Sequence, residues 1–337
     1  MTIRDITMGD EATLVAERRN SWSNYWASGA LHSCLGSFDG NYAGEVLEAW
    51  RAALAALPKD AVVLDIATGN GALPALFMAE APAGRLARVE AVDLALVRPD
   101  WIQSLDADKR SRVNVQGGVM AETLPFPDAH FDFACSQFGI EYTDLPRSLA
   151  EAARVLKPGG TLALVLHDPE SLMCRNAREE LGHLDWVAQS GILGLAERMC
   201  AVVARASTPE GRQALAKDPA AEATREKLNA VMGELAQRGK ASKVPDLLGF
   251  VQHTIFHAIQ TSQQSGNPQS GAEGMQWLEA QLDQSRLRLS ELLDCALDDA
   301  ALDGFLAGTG FVEHSRRSLS FPGGDRLGWW LQAGKPA

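Results

Sequence analysis

No two cysteines in this chain stand in Cys-x-x-Cys spacing. The five present, Cys34, Cys135, Cys174, Cys200 and Cys295, are odd in number and widely separated. They read as free thiols in a reducing compartment, with no metal site. Also missing is any run of eighteen apolar residues, so no spanning helix is expected. Arg4, Asp5, Asp10 and Glu11 leave no apolar core near the N-terminus, so a signal peptide is not expected there and a cytoplasmic location is. Positive charge is scarce: 31 Lys and Arg stand against 43 Asp and Glu, a formal net charge of -12. That balance argues against a nucleic-acid or anionic-membrane partner. What is present is length and apolar content. With 337 residues, 46% of them hydrophobic, the chain exceeds a typical single domain, and one large domain with an insertion, or two domains, is expected.

The chain is organised around residues 61–71. Ala61–Ile66 is a short apolar run of β-branched character, as expected for a strand buried on both faces of a parallel sheet. Gly69 and Gly71 bracket Asn70, and a helix starts at Ala72, with Pro74 tolerated in its first turn. Strand, glycine turn and helix start form a cradle where backbone amides approach a ligand closely. A dinucleotide fingerprint would need a third glycine at the position of Pro74, and a phosphate loop would need a lysine that the turn lacks. An acid at the strand end, Asp65, suits a ligand with an ammonium group and hydroxyls, such as S-adenosylmethionine (SAM). An ordinary tight strand-to-helix turn is the competing reading.

Arg88–Asp93 reads as a second strand, with Asp93 where a Rossmann-like fold puts an acid on ribose hydroxyls. Arg112–Gln116, Phe131–Ser136 and Thr161–Leu166 are further strands, and Lys157-Pro158-Gly159-Gly160 is a turn that stops the helix Leu145–Leu156. Residues 1–20 read as a polar arm or a disordered stretch. Trp22, Tyr25, Trp26, His32, Phe38 and Tyr42 then crowd one segment, as a lid over a flat or cationic guest or as core packing. Glu45–Leu57 is a helix. From about Glu170 to Leu302 strand signals vanish and four or five helices are expected, with breaks near Pro209, Pro219, Gly239–Pro245 and Gly266–Gly274. Strand character returns at 310–313, 318–321 and 328–332.

Assembled, these pieces resemble the class I SAM-dependent methyltransferases, in the branch of ubiquinone/menaquinone C-methyltransferases and other small-molecule enzymes. The resemblance covers about 44–168 and 295–333. It rests on Val63–Gly71, Ala91–Asp93, Leu124–Asp132 and Arg154–Gly160, four ordered motifs. Two departures are Ala67, where the usual motif has its first glycine, and Met120, where an acid often precedes the alanine at the adenine edge. The resemblance implies an α/β fold: a Rossmann-like seven-stranded methyltransferase sheet with helices on both faces and a large all-helical insertion between strands 5 and 6. The expected divisions are an N-terminal arm or lid at 1–43, a SAM-binding core at 44–169, a helical cap or dimerisation insertion at 170–290, and completion of the sheet at 291–337.

It also implies roles. Asp65, Ala67, Thr68, Gly69, Asn70 and Gly71 would hold the methionine part of SAM, Asp93 and Leu94 the ribose, and Met120, Ala121 and Glu122 the adenine edge. Ser136 and Gln137 would face the methyl group or its acceptor, and Tyr25 would join from the aromatic segment. Strand-end capping is the alternative for Ser136 and Gln137. His167, ending the fifth strand, leads as general base, with a structural role as the alternative; Gln137 and Glu141 join it as catalytic candidates, and Tyr142 and His32 rank behind. His253 and His257 could share a helix face, yet no third ligand accompanies them, and no metal is expected. The activity so implied is transfer of a methyl group from SAM to an O or N, or to a C, of a small apolar or aromatic molecule, leaving S-adenosylhomocysteine (SAH). The acceptor would lie between the Trp22–Tyr42 segment and the helices of 170–290, in a chain that forms a homodimer through the insertion. Alternatives are a SAM-binding regulatory or assembly protein without turnover, and a methyltransferase acting on a protein, peptide or RNA.

Overall fold

A computed structural model describes residues 8–34, 38 and 40–337. The first seven residues of the expected arm, and 35–37 and 39 of the aromatic segment, lie outside the described residues. The chain divides into two compact units, Met1–Arg175 with Glu291–Ala337, and Asn176–Ser290.

In chain order the first unit begins with α1 (Met8–Trp26), α2 (Glu45–Ala56), β1 (Ala61–Ile66), α3 (Ala72–Glu80) and β2 (Leu86–Asp93). It continues with α4 (Ala107–Ser111), β3 (Val113–Gly117), β4 (Phe131–Gln137), α5 (Leu145–Val155) and β5 (Leu156–Leu166). The helices α6 (Leu172–Ser190), α7 (Ile192–Ala204), α8 (Pro209–Leu215), α9 (Pro219–Ala241), α10 (Asp246–Ser265) and α11 (Pro268–Cys295) follow, then α12 (Asp299–Asp303), β6 (Val312–Ser320) and β7 (Arg326–Gly334). The strands form one seven-stranded sheet in the order β3-β2-β1-β4-β5-β7-β6. β1 to β5 pair in parallel, while β7 runs antiparallel to both β5 and β6. The all-helical insertion lies between β5 and β6, as expected.

Period-two alternation explains how the sheet buries both faces. Val63, Phe133, Cys135, Ala163 and Val165 join one core, while Leu64, Ile66, Ala134, Leu162 and Leu164 join the other. α2 covers the first face with Val46, Ala49, Trp50, Ala53 and Leu54, an i, i+3, i+4, i+7, i+8 stripe. α5 starts on an Asp144 cap that accepts from the Arg147 amide at 3.3 Å, and Leu149, Ala152 and Val155 enter the second core.

Four expectations change. Residues 8–26 form a helix rather than a loose arm; of its residues from 13 onward only Ser21 and Trp26 are buried, so no broad apolar stripe announced it. Lys157–Gly160 is not a turn ahead of β5 but part of that strand's bounds. Phe131 pairs with Leu156 and Phe133 with Thr161, so the intervening residues bulge from the ladder, with Gly159 at φ 78°. Residues 312–313 and 318–320 of the two expected stretches belong to one strand, β6, whose polar middle is tolerated because this is the sheet's edge and faces water. The insertion holds six helices, not four or five. Gly191 at φ 66° makes an unforeseen break, and the expected break at Gly266–Gly274 ends by Pro268.

The second unit has its own core, with Leu195, Cys200, Leu235, Val251, Ile255 and Leu278 among its buried members. Gly271 sits inside α11 because a Cβ there would stand 2.2 Å from Ser262 Oγ and 2.5 Å from Cys200 Sγ. Close helix packing, rather than a turn, is its purpose. His253 and His257 are exposed on α10, and among the described residues no group of three His, Cys, Asp or Glu side chains could hold a metal ion. No single described helix is long and apolar enough to cross a membrane.

Candidate functional site

The chain leaves β1 toward one side of the sheet, to β2, and returns to place β4 on the other side of β1. In open α/β sheets the crevice outside the strand ends at such a reversal is where ligands bind. Ala67 takes φ 57° and Gly69 φ 57° in the turn that follows β1. For alanine this conformation costs about 1–2 kcal/mol, a departure from the glycine usual there. The turn is tied from β2: the Thr68 amide donates to the Val92 carbonyl at 3.0 Å, and the Gly69 amide to Asp93 Oδ2 at 2.7 Å. Asp93 Oδ1 accepts from the Ala95 amide, also at 2.7 Å. α3 then begins on Gly71 with no side-chain cap, leaving its N-terminal end without a side-chain acceptor.

Beside this turn lies a cavity of about 930 Å³, its open mouth included. Of the expected cofactor residues, Ala67, Thr68, Gly69, Asp93, Leu94, Met120, Ala121, Glu122 and Gln137 line it. Asp65, Asn70, Gly71, Ser136 and Tyr25 do not. Asp65 is buried behind the turn with Oδ2 unpartnered. Asn70 spends its side chain on structure, donating to the Trp26 and Ala30 carbonyls and accepting from the Arg98 amide. Gly71 packs against Trp101, Ser136 Oγ accepts from the Ile140 amide at 3.0 Å, and the Tyr25 hydroxyl donates to the His32 carbonyl. Gln137 is positioned from α2: its Oε1 accepts from Trp50 Nε1 at 2.6 Å while Nε2 has no partner.

Two of the three leading catalytic candidates, His167 and Glu141, lie elsewhere. His167 is buried outside the cavity lining, stacked on Phe138 with ring centroids 4.4 Å apart, its Nε2 3.3 Å from the Tyr142 hydroxyl. Burial alone pushes its pKa down to about 3, which makes it a feeble base. Glu141 is also off the lining and braces the turn, its Oε1 accepting from the His167 amide at 3.0 Å. Tyr142 and His32, ranked behind them, do line the cavity.

The far wall comes from α1. Val15, Arg18, Arg19, Trp22 and Trp26 line the cavity at i, i+3, i+4, i+7 and i+11, one helix face. Arg18 is held by Glu291 Oε1 and by the Tyr142 carbonyl, each at 2.7 Å. Trp22 stacks on Trp26 and meets Tyr142 edge-on. The arginines were missed because the segment was not read as a helix; the spacing itself was the available signal.

Burial sets the charges. It raises the pKa of Asp65 to about 7 and that of Asp93 to about 6, the latter in spite of its two amide donors.

Comparison with known proteins agrees with this geometry. Residues 64–164 match the family described as "Methyltransferase domain". The ubiquinone/menaquinone biosynthesis C-methyltransferase UbiE of Psychromonas ingrahamii is 37% identical over 109 residues, 31% of this chain and 41% of that protein. The UbiE of Ralstonia pickettii is 32% identical over 146 residues, covering 41% and 58%. The chain spans about half the length of the curated relatives it matches. Among solved structures, Burkholderia thailandensis 1,6-didemethyltoxoflavin-N1-methyltransferase aligns over 99% of this chain and 93% of its own, at 13% identity and a TM-score of 0.49. Residues 64–164, which contain the cradle, are thus similar to a methyltransferase domain.

Proposed function

We propose that the protein transfers the methyl group of SAM to an oxygen or nitrogen of a small, planar, apolar or aromatic acceptor. The observation that carries this reading is that one cavity joins the Thr68–Gly69 turn and Asp93 to Trp22, Gln137 and Tyr142. The residues fit the donor. Thr68 lines the cavity with its buried Oγ1 lacking a near partner, and a ligand bringing an ammonium group and hydroxyls supplies one. Asp93 spends one lone pair of each oxygen on an amide, which leaves acceptor capacity for ribose hydroxyls. The acceptor wall on α1 lies outside residues 64–164, so the domain match speaks to the donor side alone.

SAM supplies a methyl group on positively charged sulfur, and that charge is neutralised as the methyl moves. The chain's part is alignment and dryness. The turn and Asp93 fix the donor's position. Trp22 and Tyr142 give a flat acceptor aromatic surface to lie on, Gln137 offers its unpartnered Nε2, and α1 excludes water from one side.

Incubation with SAM and a panel of aromatic hydroxyl and amine acceptors tests this. SAH release that depends on the acceptor is expected; SAM binding with no release from any acceptor would leave a binding protein without turnover.

The raised carboxyl pKa values give a further expectation. In the free protein Asp65 and Asp93 hold protons up to about pH 7 and 6, whereas a cationic, hydroxyl-rich ligand favours their ionised forms. SAM binding then releases protons and tightens by roughly tenfold between about pH 6 and pH 8. For the same reason the ligand-free protein loses stability as pH rises from about 4 toward 7, where the unfolded chain has already given up these protons. Calorimetry in buffers of differing ionisation enthalpy measures the protons released; none released, with affinity flat across this range, would contradict the assignment.

A further inference from the structure

One polar residue of the cavity lining has no role in holding the donor. His32 is 4% exposed and lines the cavity together with Tyr42 and Gln137. Its ring stacks on Tyr42, centroids 4.9 Å apart and planes 24° from parallel, with Phe38 edge-on. Its Nε2 lies 2.9 Å from the Gly40 carbonyl oxygen. A carbonyl only accepts, so Nε2 carries the proton, and in the neutral ring Nδ1 is the lone pair. That Nδ1 is buried and has no partner. An imidazole nitrogen left so is a cost that an apolar residue at the same place would avoid.

We infer that His32 Nδ1 is the general base that takes the proton from an acceptor hydroxyl or amine. This rests on the methyl-transfer reading. The acceptor's oxygen or nitrogen lone pair forms the new bond to the methyl carbon, and the methyl–sulfur bond breaks with its electron pair passing to sulfur, leaving SAH. The acceptor's proton moves to Nδ1, giving an imidazolium held through Nε2 by the Gly40 carbonyl, and passes to water when product leaves. Burial lowers the His32 pKa, with the Gly40 carbonyl and the residue's own backbone opposing, so the ring is neutral at the start. The titratable groups around it are the Tyr42 phenol against its face, which burial holds in its neutral form, and the Tyr25 hydroxyl, which donates to its carbonyl. His167, by contrast, is outside the lining.

The experiment compares the wild-type chain with His32→Ala and His32→Gln, using SAM with catechol, a phenol and an aromatic amine as probes. The expected result is a kcat lower by about 10²–10³-fold in both variants, with SAH affinity and melting temperature close to wild type. Glutamine keeps a donor for the Gly40 carbonyl but has no basic lone pair. Added imidazole is expected to restore part of the His32→Ala rate, which a structural role would not allow. Nitrogen NMR of histidine-labelled protein in its SAH complex reads the ring without turnover: the proton is expected on Nε2 and the lone pair on Nδ1 at neutral pH. A proton on Nδ1, or an active wild type whose rate survives His32→Ala, overturns the role of His32. A wild type that binds SAH but releases none from SAM with any probe overturns the methyl-transfer reading beneath it.

Discussion

Replacing Asp93 with asparagine is expected to weaken SAM binding about a hundredfold, roughly 2.7 kcal/mol. Asp93 is nearly buried and lines the cavity. Its two oxygens already accept the Gly69 and Ala95 amides at 2.7 Å each. An asparagine presents an NH₂ to one of those donors, so one tie must break and the turn loosens. The same change removes the negative charge on which ribose hydroxyls are proposed to rest, and charge-assisted bonds are the strong ones. Calorimetry with SAM and SAH measures the loss. Unchanged affinity would sink the ribose assignment, whatever the change did to the turn.

Gly69→Ala carries the second large effect. An added Cβ would stand 2.5 Å from Trp26 Cζ2 and 2.7 Å from Cη2, in a residue held at φ 57°. The left-handed backbone costs an alanine about 1–2 kcal/mol, and overpacking against a ring adds about 1–3 kcal/mol. Together these amount to a melting-temperature drop of roughly 10 °C for a unit of this size. The clash and the backbone cost separate in a cycle with Trp26→Ala. The double variant is expected to recover the overpacking part, a coupling of about 1–3 kcal/mol, and to retain the backbone part. Simple additivity would show that the Trp26 ring does not rest on this glycine.

These two residues also show what was legible from sequence. The turn at 67–71 and the acid at 93 announced themselves because glycine at positive φ and a carboxylate at a strand end answer local backbone requirements. Alternating burial in β1, β4 and β5 was equally plain, since a parallel sheet covered on both faces leaves near-continuous apolar runs. Trp26 on Gly69 was not legible: the contact joins segments 43 residues apart, and no local rule encodes it. His167 illustrates a different limit. A strand end places a residue at the right edge, but a shift of one residue decides which way its side chain points, and here the ring goes to Phe138 and Tyr142. His32, by contrast, was marked in sequence only as a member of a lid and a lesser base, and its unpartnered Nδ1 emerged with the fold.

The most direct measurement is an isothermal titration of the full chain with SAH. One site per chain is expected, with a dissociation constant in the micromolar range, about -8 kcal/mol, and no competition from NAD, since Pro74 stands where a dinucleotide turn needs glycine. No heat of binding up to about millimolar SAH, or displacement of bound SAH by NAD, would contradict the cradle as a SAM site.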